Sequence, residues 1–168
     1  MEADHIILHC SATRDSGTVS WNAIRHYHIV EREWDDIGYH FGIEKVDDKL
    51  IILRGRHPNT RGAHCRALGM NNKSIGVCVV GDYDVTAPDK YRMAVTIDFL
   101  AKLCFCFSIP ARNIFGHREI DGRKTCPGLA WNLDTVRASV LSKLSHVDDV
   151  IVDDHMYAEY MGDTVYWR

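Results

Sequence analysis

The chain is short of several features that would mark other kinds of protein. It has only four prolines in 168 residues, and proline is what most often interrupts regular structure, by fixing φ and removing a backbone donor. No apolar run approaches the roughly 20 residues that a membrane helix needs. Basic residues are not in excess: 20 Lys and Arg face 23 Asp and Glu, for a formal net charge of -3. No broad positive field therefore argues for nucleic acid as a partner. Six cysteines are present, Cys10, Cys65, Cys78, Cys104, Cys106 and Cys126, but no CxxC pair, which removes support for a zinc finger or a thioredoxin-type site. The HExxH pattern, with its glutamate base, is also missing. The opening "MEADHIILHC" carries two acids and no Lys or Arg before a short apolar run, unlike a secretory signal. Synthesis in a cytoplasm, with reduced thiols, is the expectation.

What is present fits one domain of ordinary composition, 46% hydrophobic and 26% charged. "HIILHCSAT" reads as a buried strand. Ser20 is a suitable N-cap for a helix on which Trp21, Ile24, Tyr27 and His28 recur at helical spacing. "GYHFGIEKV" and "KLIILRGR" flank an acidic pair, as in a hairpin. Residues 55 to 74 read as a long irregular loop, and "SIGVCVVG" as a central strand. A helix is predicted from about Pro88 to Phe107, with Met93, Ile97, Leu100, Cys104 and Phe107 on one face. "IPARNIFGH" returns as a short strand, and a last helix is predicted over about Leu129 to Leu144. Strands and helices alternate, so the expected fold class is α/β: one domain with a central mixed sheet flanked by helices.

Residues 145 to 168 differ in character. They carry a charge of -5, leaving +2 for residues 1 to 144, together with Tyr157, Tyr160, Tyr166 and Trp167. Such a segment is too aromatic for a simple solvated tail. The division expected is a domain over 1–144 and an acidic, aromatic extension packed on it.

Three side chains suggest chemistry: His9 at the end of the first strand, His117 after the late strand, and Cys126 beyond it. Imidazole nitrogen and thiolate sulfur are ligands that zinc prefers, and three protein ligands with one open position is the catalytic arrangement. A Cys–His nucleophile pair also attacks amides. Spacing alone does not separate these readings from a chance trio among ten histidines.

The surrounding sequence is more specific. "IILHCSAT", "DDIGYHFGI", "RGAH", "NNKSIGVCVVGDYD" and "GHREIDGRKTCPG" occur in this order over about residues 4 to 143. Together they closely resemble the zinc-dependent N-acetylmuramoyl-L-alanine amidases shared by phage endolysins and peptidoglycan recognition proteins. The resemblance implies one Zn2+ per chain held by His9, His117 and Cys126, with Tyr39 and Lys124 assisting catalysis. It implies that His64 lines the substrate groove, that Asn71 is a recurrent asparagine near it, and that Arg25 and His28 border the groove from the first helix. The implied activity is hydrolysis of the amide between N-acetylmuramic acid and L-alanine of bacterial peptidoglycan. The expected enzyme is a monomeric endolysin, with no nucleic-acid or membrane partner, that reaches the wall once the membrane is breached. Two alternatives are a recognition protein that binds peptidoglycan without cutting it, and an amidase with a second role as a protein-interaction inhibitor. Binding-only members typically lack the cysteine ligand, so Cys126 favours an enzyme.

The roles are chemically coherent. A lysine ammonium can stabilise the charge that grows on an amide oxygen under attack, and a phenol can share in proton transfer. Side chains alternate along a strand, so Cys10 is expected to face the core if His9 faces the site, and His40 to face away from Tyr39. Arg118 and Arg123 flank the site and are candidates to meet stem-peptide carboxylates.

Overall fold

A computed structural model of the chain describes residues 1–14 and 20–146. The extension expected to pack on the domain lies, from residue 147 onward, outside the described residues. Five strands form one mixed sheet: β1 (His5–Cys10), β2 (Phe41–Val46), β3 (Lys49–Arg54), β4 (Ser74–Val79) and β5 (Ile114–Gly116), in the order β3-β2-β4-β1-β5. The β2–β3 hairpin is antiparallel, and the β2–β4, β4–β1 and β1–β5 pairs are parallel. The apolar run "SIGVCV" forms β4, buried at every position between β2 and β1. That is the behaviour of a parallel strand covered on both faces.

Alternation along β1 separates the two faces. Ile6, Leu8 and Cys10 join the main core with Phe41, Ile43, Val77, Val79, Phe99, Leu100, Leu103, Val136 and Val140. Two helices supply much of that layer: α2 (Lys90–Cys106) and α4 (Leu133–Ser145). Ile7 instead packs with Cys65 and Met70 on the opposite face, and His9 follows the Ile7 side. Cys10 is thus in the core, as the alternation requires. Trp21, Ile37 and Cys78 form a third cluster.

Helix α1 (Trp21–His26) starts where the sequence predicts, with the Ser20 hydroxyl accepting from the Ala23 amide at 3.3 Å. It then widens into a π-helical turn over Tyr27–Glu31. The apolar stripe drifts with it, and Tyr27 is half exposed. Two other helices begin later than periodicity suggests. Asp89 caps α2 by accepting from the Arg92 amide at 2.8 Å, so Pro88 lies outside the helix. Asn132 caps α4 in the same way, at 2.9 Å from Thr135. The residues before it are held elsewhere: the Leu129 amide donates to Asp84 and that of Ala130 to the Tyr83 carbonyl. The loop over 55–74 is irregular except for a 3-10 turn at Ala67–Asn72, in which Leu68 and Gly69 have φ of +51° and +70°. Among the described residues no helix is long and apolar enough to cross a membrane.

Candidate active site

The sheet brings the first two candidate ligands together. Leu8 pairs with Gly116 in the parallel β1–β5 register, so the next residues, His9 and His117, emerge side by side. Their ring centroids are 4.8 Å apart, nearly perpendicular. His9 is buried at 1% exposure, and His117 opens the short helix α3 (His117–Ile120). Cys126 arrives from the following loop. Its Sγ accepts from the Cys10 amide at 3.2 Å and lies 3.5 Å from His9 Nδ1. One ligand atom from each of His9, His117 and Cys126 falls within 4.8 Å of the others, an arrangement that could hold a metal ion.

Several long-range contacts fix that loop. Asp84 accepts from Thr125 Oγ1 at 3.0 Å and from the Leu129 amide at 3.1 Å, bracketing Cys126. Arg118 donates its backbone N–H to the Cys126 carbonyl at 2.7 Å and its guanidinium to the carbonyls of Gly128 and Trp131. Gly128 has φ +115°, and a Cβ there would lie 2.4 Å from the Tyr83 carbonyl. Only glycine allows this close approach. Arg118 is therefore a brace of the loop. Arg123 forms a two-bond ion pair with Asp121, at 2.8 and 2.9 Å. Asp84 closes the block "NNKSIGVCVVGDYD", but nothing in the sequence assigns it this role, because it lies more than forty residues before the loop it holds.

The electrostatics suit metal ligation. Burial, reinforced by His64 and His117, pushes the His9 pKa well below its ordinary value. Burial and the Lys124 ammonium lower that of His117. Both rings are therefore neutral at pH 7, the form that offers a lone pair. Without a metal, the Cys126 thiol is pushed upward by its interaction with Cys10 and by burial. It stays protonated, so a cation would displace that proton on binding. The same protonation disfavours Cys126 as an unaided nucleophile, which must be a thiolate.

Tyr39 stands over His9, with ring centroids 5.1 Å apart. Burial and nearby thiols raise its pKa well above 10, which keeps the phenol protonated. Lys124 is exposed at the rim of a cleft of about 680 Å³ that also borders His117, His64, Trp34 and Arg66. The structure thus brings Tyr39 and Lys124 to the same region as His9, His117 and Cys126.

The four residues expected to contact substrate are placed differently from one another. His64 is buried, with Nδ1 3.0 Å from His9 Nε2 and Nε2 3.3 Å from the Ser74 carbonyl. Asn71 Oδ1 accepts from the amides of His64 and Cys65, at 2.8 and 2.7 Å, and so fixes the His64 backbone. Both residues border the cleft, but these polar atoms face protein partners. Arg25 forms a two-bond pair with Asp36, at 2.7 and 2.8 Å. His28 stacks on Trp34 with centroids 4.7 Å apart and accepts from the Gly38 amide. His40, one residue from Tyr39, is fully buried, accepts from the Gly76 amide at 2.8 Å and faces the Thr60 carbonyl at 3.0 Å.

Comparison with known proteins bears on the family and the fold. The profile of the N-acetylmuramoyl-L-alanine amidase family matches residues 1–129. The chain is 34% identical over 134 residues to peptidoglycan-recognition protein LB of Drosophila melanogaster, covering 75% of this chain and 55% of that protein. It is 42% identical over 81 residues to the endolysin of Escherichia phage T7, covering 48% of this chain and 50% of that one. The chain thus spans about half the length of the curated relatives it matches. Among solved structures, the amidase LysC from Clostridium intestinale superposes with a TM-score of 0.70 at 22% identity, over 83% of this chain and 85% of that one. Wild-type Drosophila PGRP-LB superposes at 0.61 and 27% identity, over 86% and 80%. The ordered sequence blocks, the mixed sheet and the family match agree, and the chain belongs to the N-acetylmuramoyl-L-alanine amidase family.

Proposed function

We propose that this chain is a zinc-dependent peptidoglycan hydrolase that cleaves the amide between N-acetylmuramic acid and L-alanine. The observation that carries this reading is the convergence of His9, His117 and Cys126 within 4.8 Å. Two neutral imidazoles and a thiol form a donor set that zinc prefers, and three protein ligands leave one position open. When bound there, zinc supplies Lewis acidity towards the scissile carbonyl and acidifies a water to a pKa of about 7.

The chain's own residues supply the rest. The Lys124 ammonium, unburied at the cleft rim, is available to the oxyanion that develops on the amide oxygen. The Tyr39 phenol, held protonated beside His9, can orient a water or pass a proton. The cleft wall carries Arg32, Arg56, Arg61 and Arg66 besides Lys124, against Glu33, Asp35 and the Arg123-paired Asp121, a net positive lining suited to the carboxylates of a stem peptide. A phage endolysin that acts on the wall after the membrane is breached is the biological setting that fits its endolysin relatives.

The test is hydrolysis of purified peptidoglycan with and without a chelator. New L-alanine amino termini should appear without new reducing sugar ends, and activity should vanish on chelation and return with zinc. Tight binding without release of termini would instead make this a recognition protein. Activity that survives complete metal removal would overturn the metal reading.

A further inference from the structure

The side chain beneath His9 is built to decide which of its nitrogens is free. The Ser74 carbonyl can only accept, so the N–H that meets it at 3.3 Å belongs to His64 Nε2. The His64 ring is buried and its two polar contacts, the Ser74 carbonyl and the His9 ring, are not anionic, so it carries one ring proton and its Nδ1 is a lone pair. That lone pair lies 3.0 Å from His9 Nε2, which must then be the N–H of His9. The remaining His9 nitrogen, Nδ1, is left as a lone pair on the side of Cys126 Sγ, 3.5 Å away.

The ring that makes this contact is held from several directions. A Cβ on Gly62 would come within 2.5 Å of His64 Cδ2, and one on Gly76 within 2.5 Å of Cδ2 and Cγ. Neither glycine has a positive φ that would itself require glycine. What requires it is the imidazole lying against both backbones. Asn71 Oδ1 fixes the His64 amide from a third direction.

Resting on the zinc reading of the site, we infer that His64 is a positioning residue: it acts through His9, fixing the tautomer in which Nδ1 faces the metal. Partners of this kind hold a ligand ring in orientation and raise its basicity, and their loss typically weakens metal affinity about 10–100-fold. The chain Ser74 carbonyl, His64, His9 would be the conduit. His64 would then serve the centre from behind, through His9.

Two measurements test this on the whole chain. In the metal-free protein, nitrogen-15 NMR should find His9 protonated at Nε2 and bare at Nδ1. The opposite tautomer overturns the inference whatever the metal data show. Zinc affinity, read by competition with a chromogenic chelator, should fall about 10–100-fold in His64→Leu. It should stay within about threefold of wild type in His64→Asn, whose Oδ1 can take the place of Nδ1 as acceptor. The thermal transitions of the two metal-free variants are compared, so that a folding defect is seen as one. If His64→Leu folds and binds zinc like wild type, the inference fails. If wild type itself takes up no zinc, the proposed function fails, and the NMR tautomer still decides the arrangement of His64 and His9.

Discussion

Substituting Gly76 by alanine strikes the slot that holds the His64 ring. The added Cβ would sit 2.5 Å from His64 Cδ2 and Cγ and 2.8 Å from Nδ1. The ring cannot retreat freely, because the Gly62 backbone lies against it as well. Overpacking of this kind costs about 1–3 kcal/mol. A ring displaced from His9 also leaves a buried donor or acceptor without its partner, at about 1–3 kcal/mol. The two together give a loss of about 2–6 kcal/mol. For a domain of this size, at about 2–4 °C per kcal/mol, the melting temperature should drop by roughly 4–24 °C. Circular dichroism melts of the metal-free protein measure this directly. Gly122→Ala is the control: a Cβ there meets nothing within 4 Å, so its effect should stay under about 1 kcal/mol in either direction. A Gly76→Ala protein that melts within about 1 °C of wild type would refute the packing argument.

Removing the carboxylate at Asp84 frees Thr125 and Leu129, so Asp84→Ala should lower stability by about 1–3 kcal/mol in urea titration and also weaken zinc retention against a chelator. Lys124→Ala should cost about 10²–10³-fold in turnover of peptidoglycan while leaving the melting curve unchanged, because the side chain is exposed; Tyr39→Phe should likewise lose activity at full zinc stoichiometry. Acid should destabilise the metal-free protein through His40. Its folded pKa is lowered to about 4, chiefly by burial, against about 6.5 when unfolded. Between these values the unfolded chain binds more protons, so stability is full above about pH 6.5 and is lost as pH falls towards 4. The loss is about 2 kcal/mol at pH 5, and His64, lowered to about 3, acts in the same direction. A urea midpoint that does not fall between pH 7 and pH 5 would contradict this.

Much of this protein was legible in the sequence because the signals are local. Alternation in "HIILHC" sorts Cys10 from His9, the continuous apolar run at 74–79 marks a strand covered on both faces, and an acidic pair between two β-prone runs makes a hairpin. These follow from side-chain periodicity, which needs no partner to be read. The family resemblance rests likewise on short blocks in order. Helix α1 starts where its cap predicts, but α2 and α4 start a few residues later than periodicity predicts, because capping competes with it. Asp89 and Asn132 take up amides at the ends of α2 and α4, and the backbone before α4 is tied to Tyr83 and Asp84.

The tertiary structure alone decided the rest. The sequence supplied His9, His117 and Cys126 as types. Only the Leu8–Gly116 register sets the two histidines side by side, and only the Asp84 and Arg118 contacts return Cys126 to them. His64 and Asn71 read as groove residues along the chain, yet in space the His64 ring nitrogens and Asn71 Oδ1 turn towards His9 and the backbone. The direction of an imidazole, and therefore which nitrogen it offers, depends on a carbonyl and a lone pair contributed by distant segments. Periodicity fixes the face on which a side chain emerges; its rotation and its proton are set by the neighbours that folding brings to it.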